Sequence, residues 1–356
     1  MSHFKTAVTD PSTFEFLNPY IIAEIGVNHE GSMEKAKLMI EQVARGGGHC
    51  AKFQTYKADK IASKQHAPSY WDLKSEPCTS QHALFTKYDS FGEKEYTELA
   101  GHCKKHGVDF VSTPFDLDAV DMLNPLMNFF KIASADVTNI PLLRKVGGCK
   151  KPVLMSTGAA TLEEVRRGVV VLKEAGAPEI CLLHCVLNYP TPKDHAQMAL
   201  MGVIEREFGE ECSIGYSDHV APDADGSMPA LEYAALRGAV ALEKHFTFDK
   251  TLPGNDHYHS FNESEMKVFT DKLAVYRTLH GDENRKLDWE AQAVNHARRR
   301  IMAADDIKAG DVLTEDKLIA LRSGVGIEIA QWDDVIGKKA VNDIAAEAPV
   351  EWDDVG

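Results

Sequence analysis

Two lysines and two histidines carry the most specific chemistry in this sequence. Lys52 and Lys131 interrupt short apolar runs, Cys-Ala-Lys-Phe-Gln and Phe-Phe-Lys-Ile. An ammonium group inside a buried strand is costly unless an anion compensates it, so both lysines read as part of an anion site. Hydroxyls of Thr113, Ser134, Ser156 and Ser217 stand at the ends of other apolar runs. Compact cations for charge and hydroxyl donors for oxygen suit a small phosphorylated carboxylate. Amides of the Ser156-Thr157-Gly158 turn can extend that cradle. A Schiff base between either lysine and a carbonyl substrate is the alternative use. His219 and His245 close two successive apolar runs. A pair of imidazoles suits a borderline divalent ion such as Mn2+, Zn2+ or Co2+, with oxygen ligands or water completing the shell.

These residues need a scaffold that brings distant strand ends to one place. Apolar runs of strand length fall at Tyr20 to Ile25, Cys50 to Phe53, Asp109 to Val111, Phe129 to Ile132, Val153 to Met155, Ile180 to Leu183, Ser213 to Tyr216 and Ala239 to Leu242. Helical periodicity is clear in Met33 to Arg45, Glu93 to His106, Leu162 to Ala175 and Glu263 to His280. It is weaker in Asp118 to Leu126 and Ile140 to Val146. Alternating strands and helices of this kind predict an α/β fold, a closed (β/α)8 TIM barrel, with its chemistry at the carboxyl ends of the strands. Glu24, Gly26, Asn28 and His29 then mark the end of the first strand and Gln54 that of the second, while Asp136 follows the fourth. Glu243, Lys244 and His245 mark the eighth, with Asp256, His257 and His259 a little beyond. The polar stretch from Tyr56 to Ser90, with Pro68, Trp71, Pro77 and Phe85 embedded in it, is long for a connection and falls on the catalytic rim;. The expected domains are a barrel over 1–282, a charged linker over 283–296 and a small second domain over 297–356.

A single strand-end Ser or Thr is usually a turn former or cap, and His29, His66, His82, His102, His106, His184, His195, His280 and His296 read as structural. The whole set is what points to function. The chain of 356 residues carries a net charge of -15, which disfavours nucleic acid and anionic lipid as partners;. An anionic substrate therefore needs its cations concentrated locally. The seven cysteines are odd in number and scattered, which predicts reduced thiols;. No stretch approaches about 18 uncharged apolar residues and the opening lacks a signal-peptide pattern, so no membrane association and a cytoplasmic location are expected.

Several motifs resemble the sialic acid synthase family. They are Ala-Glu-Ile-Gly-Val-Asn-His at 23–29, Ala-Lys-Phe-Gln-Thr at 51–55, Ser-Thr-Pro-Phe-Asp at 112–116, Phe-Lys-Ile-Ala-Ser at 130–134 and Met-Ser-Thr-Gly at 155–158. Further on stand Leu-Leu-His-Cys and Asn-Tyr-Pro-Thr-Pro within 182–192, Gly-Tyr-Ser-Asp-His at 215–219, Glu-Lys-His-Phe-Thr at 243–247 and Pro-Gly-Asn-Asp-His at 253–257. From Arg298 onward the sequence is similar to that family's carboxy-terminal domain, an antifreeze-like SAF (β-clip) domain. The resemblance implies condensation of phosphoenolpyruvate with an N-acylated hexosamine such as N-acetylmannosamine, giving a nine-carbon 2-keto sugar acid and phosphate. It implies phosphoenolpyruvate contacts at Lys52, Thr113, Lys131, Ser134, Ser156, Asn188 and Ser217. A divalent ion, Mn2+ first with Mg2+ or Co2+ as alternatives, is implied at His219 and His245. Gln54, Tyr189 and Asp256 are expected around the sugar, with Arg322 sent in from the small domain of the other subunit in a swapped homodimer. Glu24 and Asp136 are the candidate carboxylates for acid-base work, beside Lys52 and Lys131.

The sequence departs from the family at three places. Ser134-Ala135-Asp136 stands where most relatives have Ser-Gly-Glu, which withdraws the carboxylate by one methylene and weakens the case for Asp136. Extra residues lie at Ala221 to Gly226, and Arg322-Ser323 replaces the usual Arg-Pro. Alternative products are legionaminic, pseudaminic or 9-phosphorylated sialic acid. Outside the family reaction, a Schiff-base aldolase or lyase, or a non-catalytic sugar- or ice-binding protein, are the competing readings.

Overall fold

The computed structural model describes residues 4–10, 14–71, 73–74, 76–254 and 256–356. Residues 1–3 of the opening segment and Asn255 of the Pro-Gly-Asn-Asp-His motif lie outside them. The chain divides into two compact units, Met1–His280 and Gly281–Gly356.

The first unit is an eight-stranded parallel barrel. Its strands are β1 (Tyr20–Gly26), β2 (Cys50–Thr55), β3 (Asp109–Pro114), β4 (Phe130–Ile132), β5 (Val153–Ser156), β6 (Ile180–Cys185), β7 (Ser213–Asp218) and β8 (Ala241–His245). The hydrogen-bonded order is β3-β2-β1-β8-β7-β6-β5-β4. The last strand pairs with the first, so Glu24 lies beside both Lys52 and His245 in register. At the seam β3 packs against β4 without a ladder, and the Ser112 backbone N–H turns instead to the Met127 sulfur at 3.0 Å. Under the amino-terminal strand ends, Phe4 stacks on Phe129 at 4.0 Å and meets Tyr20 edge-on.

The helices begin and end where local chemistry says they should. Ser32 caps Met33–Arg45 by accepting from the Lys35 N–H, and Ala36, Met39, Ile40 and Val43 bury one stripe at helical spacing;. Thr161 and Glu164 form a capping box for Leu162–Ala175, which stops at Gly176 with φ +114°;. The weaker Asp118 to Leu126 pattern resolves into a helix over Leu117–Leu123 and a 3-10 turn over Asn124–Leu126, because Pro125 has no N–H to continue the ladder;. Seven of the eight strands run one to three residues further toward their carboxyl ends than apolar character alone indicates. Polar side chains there still pair through their backbones, as in Gln54 beside Thr113 and Cys185 beside Ser217. The rim segment after β2 carries two short helices, Ala58–Ile61 and Gln81–Tyr88.

The second unit has an antiparallel pair, β9 (Arg299–Ala303) and β10 (Leu318–Arg322). It closes over a core of its own that includes Ile301, Leu313, Leu318, Val335, Ile344 and Val350. The charged stretch with which this unit begins forms an exposed turn, Leu287–Glu290, and a short helix, Ala291–His296. Among the described residues, no helix is long and apolar enough to cross a membrane.

Candidate active site

The floor of the site is a closed charge network across β1, β2, β4 and β8. Lys52 Nζ sits 2.6 Å from Glu24 Oε2 and donates to Thr113 Oγ1 at 3.2 Å. Gln54 donates to the other Glu24 oxygen at 2.9 Å. Glu243 Oε1 gathers both lysines, at 3.6 Å from Lys52 and 3.5 Å from Lys131, and accepts from Ser217 Oγ at 3.2 Å. Lys131 also donates to Ser156 Oγ at 2.7 Å and to the Ile132 carbonyl. All four charged side chains are buried. Burial raises the Glu24 pKa beyond what Lys52 offsets. Against its own burial, Lys52 is held above an ordinary lysine by Glu24 and Glu243. Burial lowers Lys131. Against burial, Lys131 and Lys52 hold Glu243 below the usual carboxylate range;.

Two glycines let the backbone come this close. Gly26 follows an irregularity in the β1–β2 register and adopts φ +54°. A Cβ there would lie 3.3 Å from Gln54 Nε2 and 3.4 Å from Glu24 Oε1;. Gly158, in the turn after β5, donates its N–H to Ser134 Oγ at 3.0 Å, and a Cβ would come within 2.9 Å of that oxygen.

Above the floor the chemistry changes to imidazole. His219 and His245 have ring centroids 5.4 Å apart. His219 Nδ1 is fixed on the Val186 carbonyl at 2.8 Å, which leaves Nε2 as the ligating atom. His245 Nδ1 lies 3.2 Å from Asp256 Oδ2 but makes no directed hydrogen bond. His259 stacks on His245 at 4.9 Å. Burial holds its pKa well below the ordinary histidine value, which favours the neutral, ligating form;. Asp256 stays below the carboxylate range despite burial because His245 and His259 face it. Buried imidazole nitrogens without partners beside a carboxylate fit a divalent cation.

A cavity of about 440 Å³ opens over these residues. It is lined by Glu24, Lys52, Gln54, Thr113, Lys131, Ser134, Asp136, Ser156, Tyr189, Ser217, His219, His245 and Asp256, so most of the residues expected from sequence converge. Two do not line it. Asn188 lies beside it in the β6 loop, its N–H on the Val186 carbonyl at 2.9 Å and its own carbonyl accepting from Thr191 Oγ1. Arg322 stands exposed at the end of β10 in the second unit. Asp136 lines the wall with one oxygen taken by Asn139 at 2.8 Å, and burial raises its pKa. The outer wall is aromatic, with Tyr56, Tyr70, Trp71, Phe85, Phe115 and Tyr258, and Glu76 adds negative charge. Among the described residues, Lys52 and Lys131 supply the only ammonium or guanidinium groups of the lining.

Residues 39–285 match the NeuB family and 298–356 the SAF domain. The chain belongs to the NeuB family. It is 35% identical to an N,N'-diacetyllegionaminic acid synthase from Campylobacter jejuni over 90% of this chain and 95% of that one. It is 31% identical to an N-acetylneuraminate-9-phosphate synthase from Drosophila melanogaster over 93% of this chain and 94% of that one. Among solved structures, an N-acetylneuraminic acid synthetase from Leptospira borgpetersenii in complex with citrate superposes with a TM-score of 0.66 at 30% identity. That match covers 78% of this chain and 92% of the other. The barrel, the SAF domain and the synthase resemblance of the sequence therefore hold for this NeuB-family chain.

Two residues of the site, Glu243 and His259, have no role that the sequence assigns. Strand alternation in Glu243-Lys244-His245 already puts the first and third on one face. Lys244 indeed turns the other way, to Asp218 Oδ2 at 2.8 Å. His259 carries no comparable local signal, since its approach to His245 depends on the fold of the 248–260 loop.

Proposed function

We propose that this chain condenses phosphoenolpyruvate with an uncharged N-acylated hexosamine, releasing phosphate and a nine-carbon 2-keto sugar acid. N-Acetylmannosamine is within that class, but the aromatic outer wall favours a deoxy, diacetamido acceptor of the legionaminic type. The observation that carries the reading is the contrast in the lining, two lysines at the floor and none further out. A phosphorylated acceptor needs a cation where this cavity offers aromatic rings and Glu76;. The legionaminic relative from Campylobacter is in keeping with that preference.

Lys52 and Lys131 take the phosphate, exchanging part of their contact with Glu24 and Glu243 for the substrate's oxygens. The hydroxyls of Thr113, Ser134, Ser156 and Ser217 orient phosphoenolpyruvate so that its C3 faces the sugar aldehyde. Glu24, with its raised pKa, is the base for the water that adds to C2, and Asp136 is the second candidate carboxylate. The C2–O bond to phosphate then breaks, so that phosphoenolpyruvate, aldehyde and water become keto acid and phosphate. A divalent ion bound at His219 and His245 supplies Lewis-acid polarisation of the sugar aldehyde. Gln54, Tyr189 and Asp256 are assigned to the sugar. The proposal extends to a homodimer in which Arg322 of a second copy serves the sugar's neutral oxygens; a phosphorylated acceptor would have that one guanidinium alone to set against Glu76 and the aromatic wall.

The test is phosphate release against a panel of acceptors with and without chelator. Release should require phosphoenolpyruvate, an uncharged acceptor and a divalent ion together. Faster turnover of a 6-phosphate than of any uncharged sugar would overturn the acceptor assignment, and undiminished release after chelation would overturn the ion's role. Because a base must be deprotonated, kcat/KM should fall as pH drops through the raised pKa of Glu24, and Glu24→Gln should remove that limb.

A further inference from the structure

The loop after β8 ends in a 3-10 turn, His257–His259, that delivers two buried histidines with different surroundings. His257 is engaged at Nδ1 by Thr247 Oγ1 at 2.7 Å, and its Nε2, also without a hydrogen-bond partner, has Glu30 Oε1 4.0 Å away. His259 places Nδ1 3.0 Å from the Asp256 carbonyl. A carbonyl only accepts, so Nδ1 carries the proton and Nε2 presents a lone pair. That Nε2 is buried without a hydrogen-bond partner and lies 3.5 Å from Asp256 Oδ1. The other Asp256 oxygen is 3.2 Å from His245 Nδ1. One donor atom from each of His245, Asp256 and His259 lies within 4.8 Å of the other two. That spacing is near what ligands spread around one ion at about 2.0–2.2 Å require. His219 falls outside that cluster, its ring centroid 5.4 Å from that of His245 and 6.4 Å from that of His259.

We infer that His259 and Asp256 are ligands of the divalent ion, joining His245 in a shell richer in donors than the His219–His245 pair alone. The inference rests on the proposed synthase reading for the ion's location, not for its measurement. A third imidazole and a carboxylate make the site tighter and shift its preference toward the later first-row ions, since nitrogen donors favour Co2+ and Zn2+ over Mg2+ and Mn2+. Asp256, assigned above to the sugar, then acts on the sugar through the ion it helps to hold. A second donor set, Glu41, His102 and His106, is half-buried on the outer helices and could compete for ions in a titration. It has to be removed from any count.

The experiment uses full-length protein carrying His102→Ala, dialysed free of metal and titrated with Co2+ in the absence of substrate. Affinity is read by calorimetry, and the number of imidazole ligands by X-ray absorption of the Co2+-loaded protein. Three coordinated imidazoles are expected, with binding weakened roughly 10–100-fold by His259→Ala and by Asp256→Asn. Two imidazoles, with affinity unchanged in His259→Ala, would overturn the inference. The ligand count needs no substitution at the site, so it stands even where a site variant fails to fold. Absence of acceptor-dependent phosphate release with every sugar of the panel would sink the synthase reading without altering the ligand count, which keeps the two failures apart.

Discussion

The floor and the mouth of this barrel handle their buried nitrogens in opposite ways, although Glu243 Oε2 at the floor is also buried without a hydrogen-bond partner. At the floor every ammonium group has a carboxylate or hydroxyl partner, so Lys52, Lys131, Glu24 and Glu243 neutralise one another before any substrate arrives. At the mouth, His245 and His259 keep ring nitrogens without hydrogen-bond partners. Preorganised charge belongs where phosphate must be bound the same way every turnover. Open donor positions belong where an ion has to be captured from solution. On the proposed reading, the floor serves phosphoenolpyruvate, and the mouth sets which ion and which sugar are accepted.

The largest effect is expected from breaking the floor. Glu243→Gln leaves two buried lysines sharing one carboxylate, and loss of one partner of a buried ion network costs about 3–5 kcal/mol. Denaturant unfolding should show that loss, and phosphate release should fall to background even in protein that stays folded. A variant with unchanged stability would mean that the lysines are not held by Glu243, and the contrast between floor and mouth would dissolve.

Next in size is the acid sensitivity of another orphaned imidazole. His29 is buried against Phe91 with its Nε2 unpartnered, but it is absent from the donor sets. Burial pulls its pKa down to about 4. The folded state therefore binds this proton less readily than the unfolded chain, whose histidine titrates near 6.5. Its contribution to stability is complete above pH 6.5 and is lost as pH falls toward 4, by on the order of 3 kcal/mol. His29→Asn should flatten that part of the stability profile measured by unfolding at a series of pH values. A profile identical to the parent's would show that His29 is protonated at no such cost. The same residue sharpens the comparison, because an orphaned nitrogen outside any cluster of donors among the described residues is predicted to bind no Co2+.

Much of this arrangement is legible in the sequence, and the boundary of legibility has a physical cause. Four helices, Met33–Arg45, Glu93–His106, Leu162–Ala175 and Glu263–His280, end where periodicity and end residues place them. Lys52 and Lys131 declare themselves because a charge in an apolar strand demands a partner. Glu243 is harder to read, since a carboxylate followed by Lys244 looks like a local ion pair until strand alternation separates them. Strand ends read short because polar side chains such as Gln54 and Ser217 hide backbone pairing that continues beneath them. His259 is not legible at all: its partner His245 is fourteen residues away, and the connecting loop has no periodic pattern to fix its path.

Smaller effects test how finely each region is fitted. Gly26→Ala should destabilise by about 1–2 kcal/mol, since an L side chain at φ +54° is strained and its Cβ presses on Gln54;. Thermal unfolding checks the stability, and a rise in KM for phosphoenolpyruvate would report the displaced Gln54–Glu24 contact. A neutral substitution would show that β1 relaxes more freely than a preorganised floor allows.

Trp71→Ala bears on the mouth alone. The indole N–H is held by the Glu76 and Cys78 carbonyls at 3.1 Å each, which fixes the ring as part of the cavity wall. Truncating it removes apolar contact from the acceptor pocket while touching neither lysine. KM for a deoxy, diacetamido acceptor should rise about tenfold, equivalent to ~1.4 kcal/mol of lost binding. KM for phosphoenolpyruvate should stay as it was, and N-acetylmannosamine, with a hydroxymethyl group where the preferred acceptor has a methyl, should lose less. If both acceptors weaken equally, the wall supplies area without selectivity, and the preference for deoxy sugars must come from elsewhere. If phosphoenolpyruvate weakens with them, floor and mouth are coupled through the rim loop and cannot be treated as separate devices.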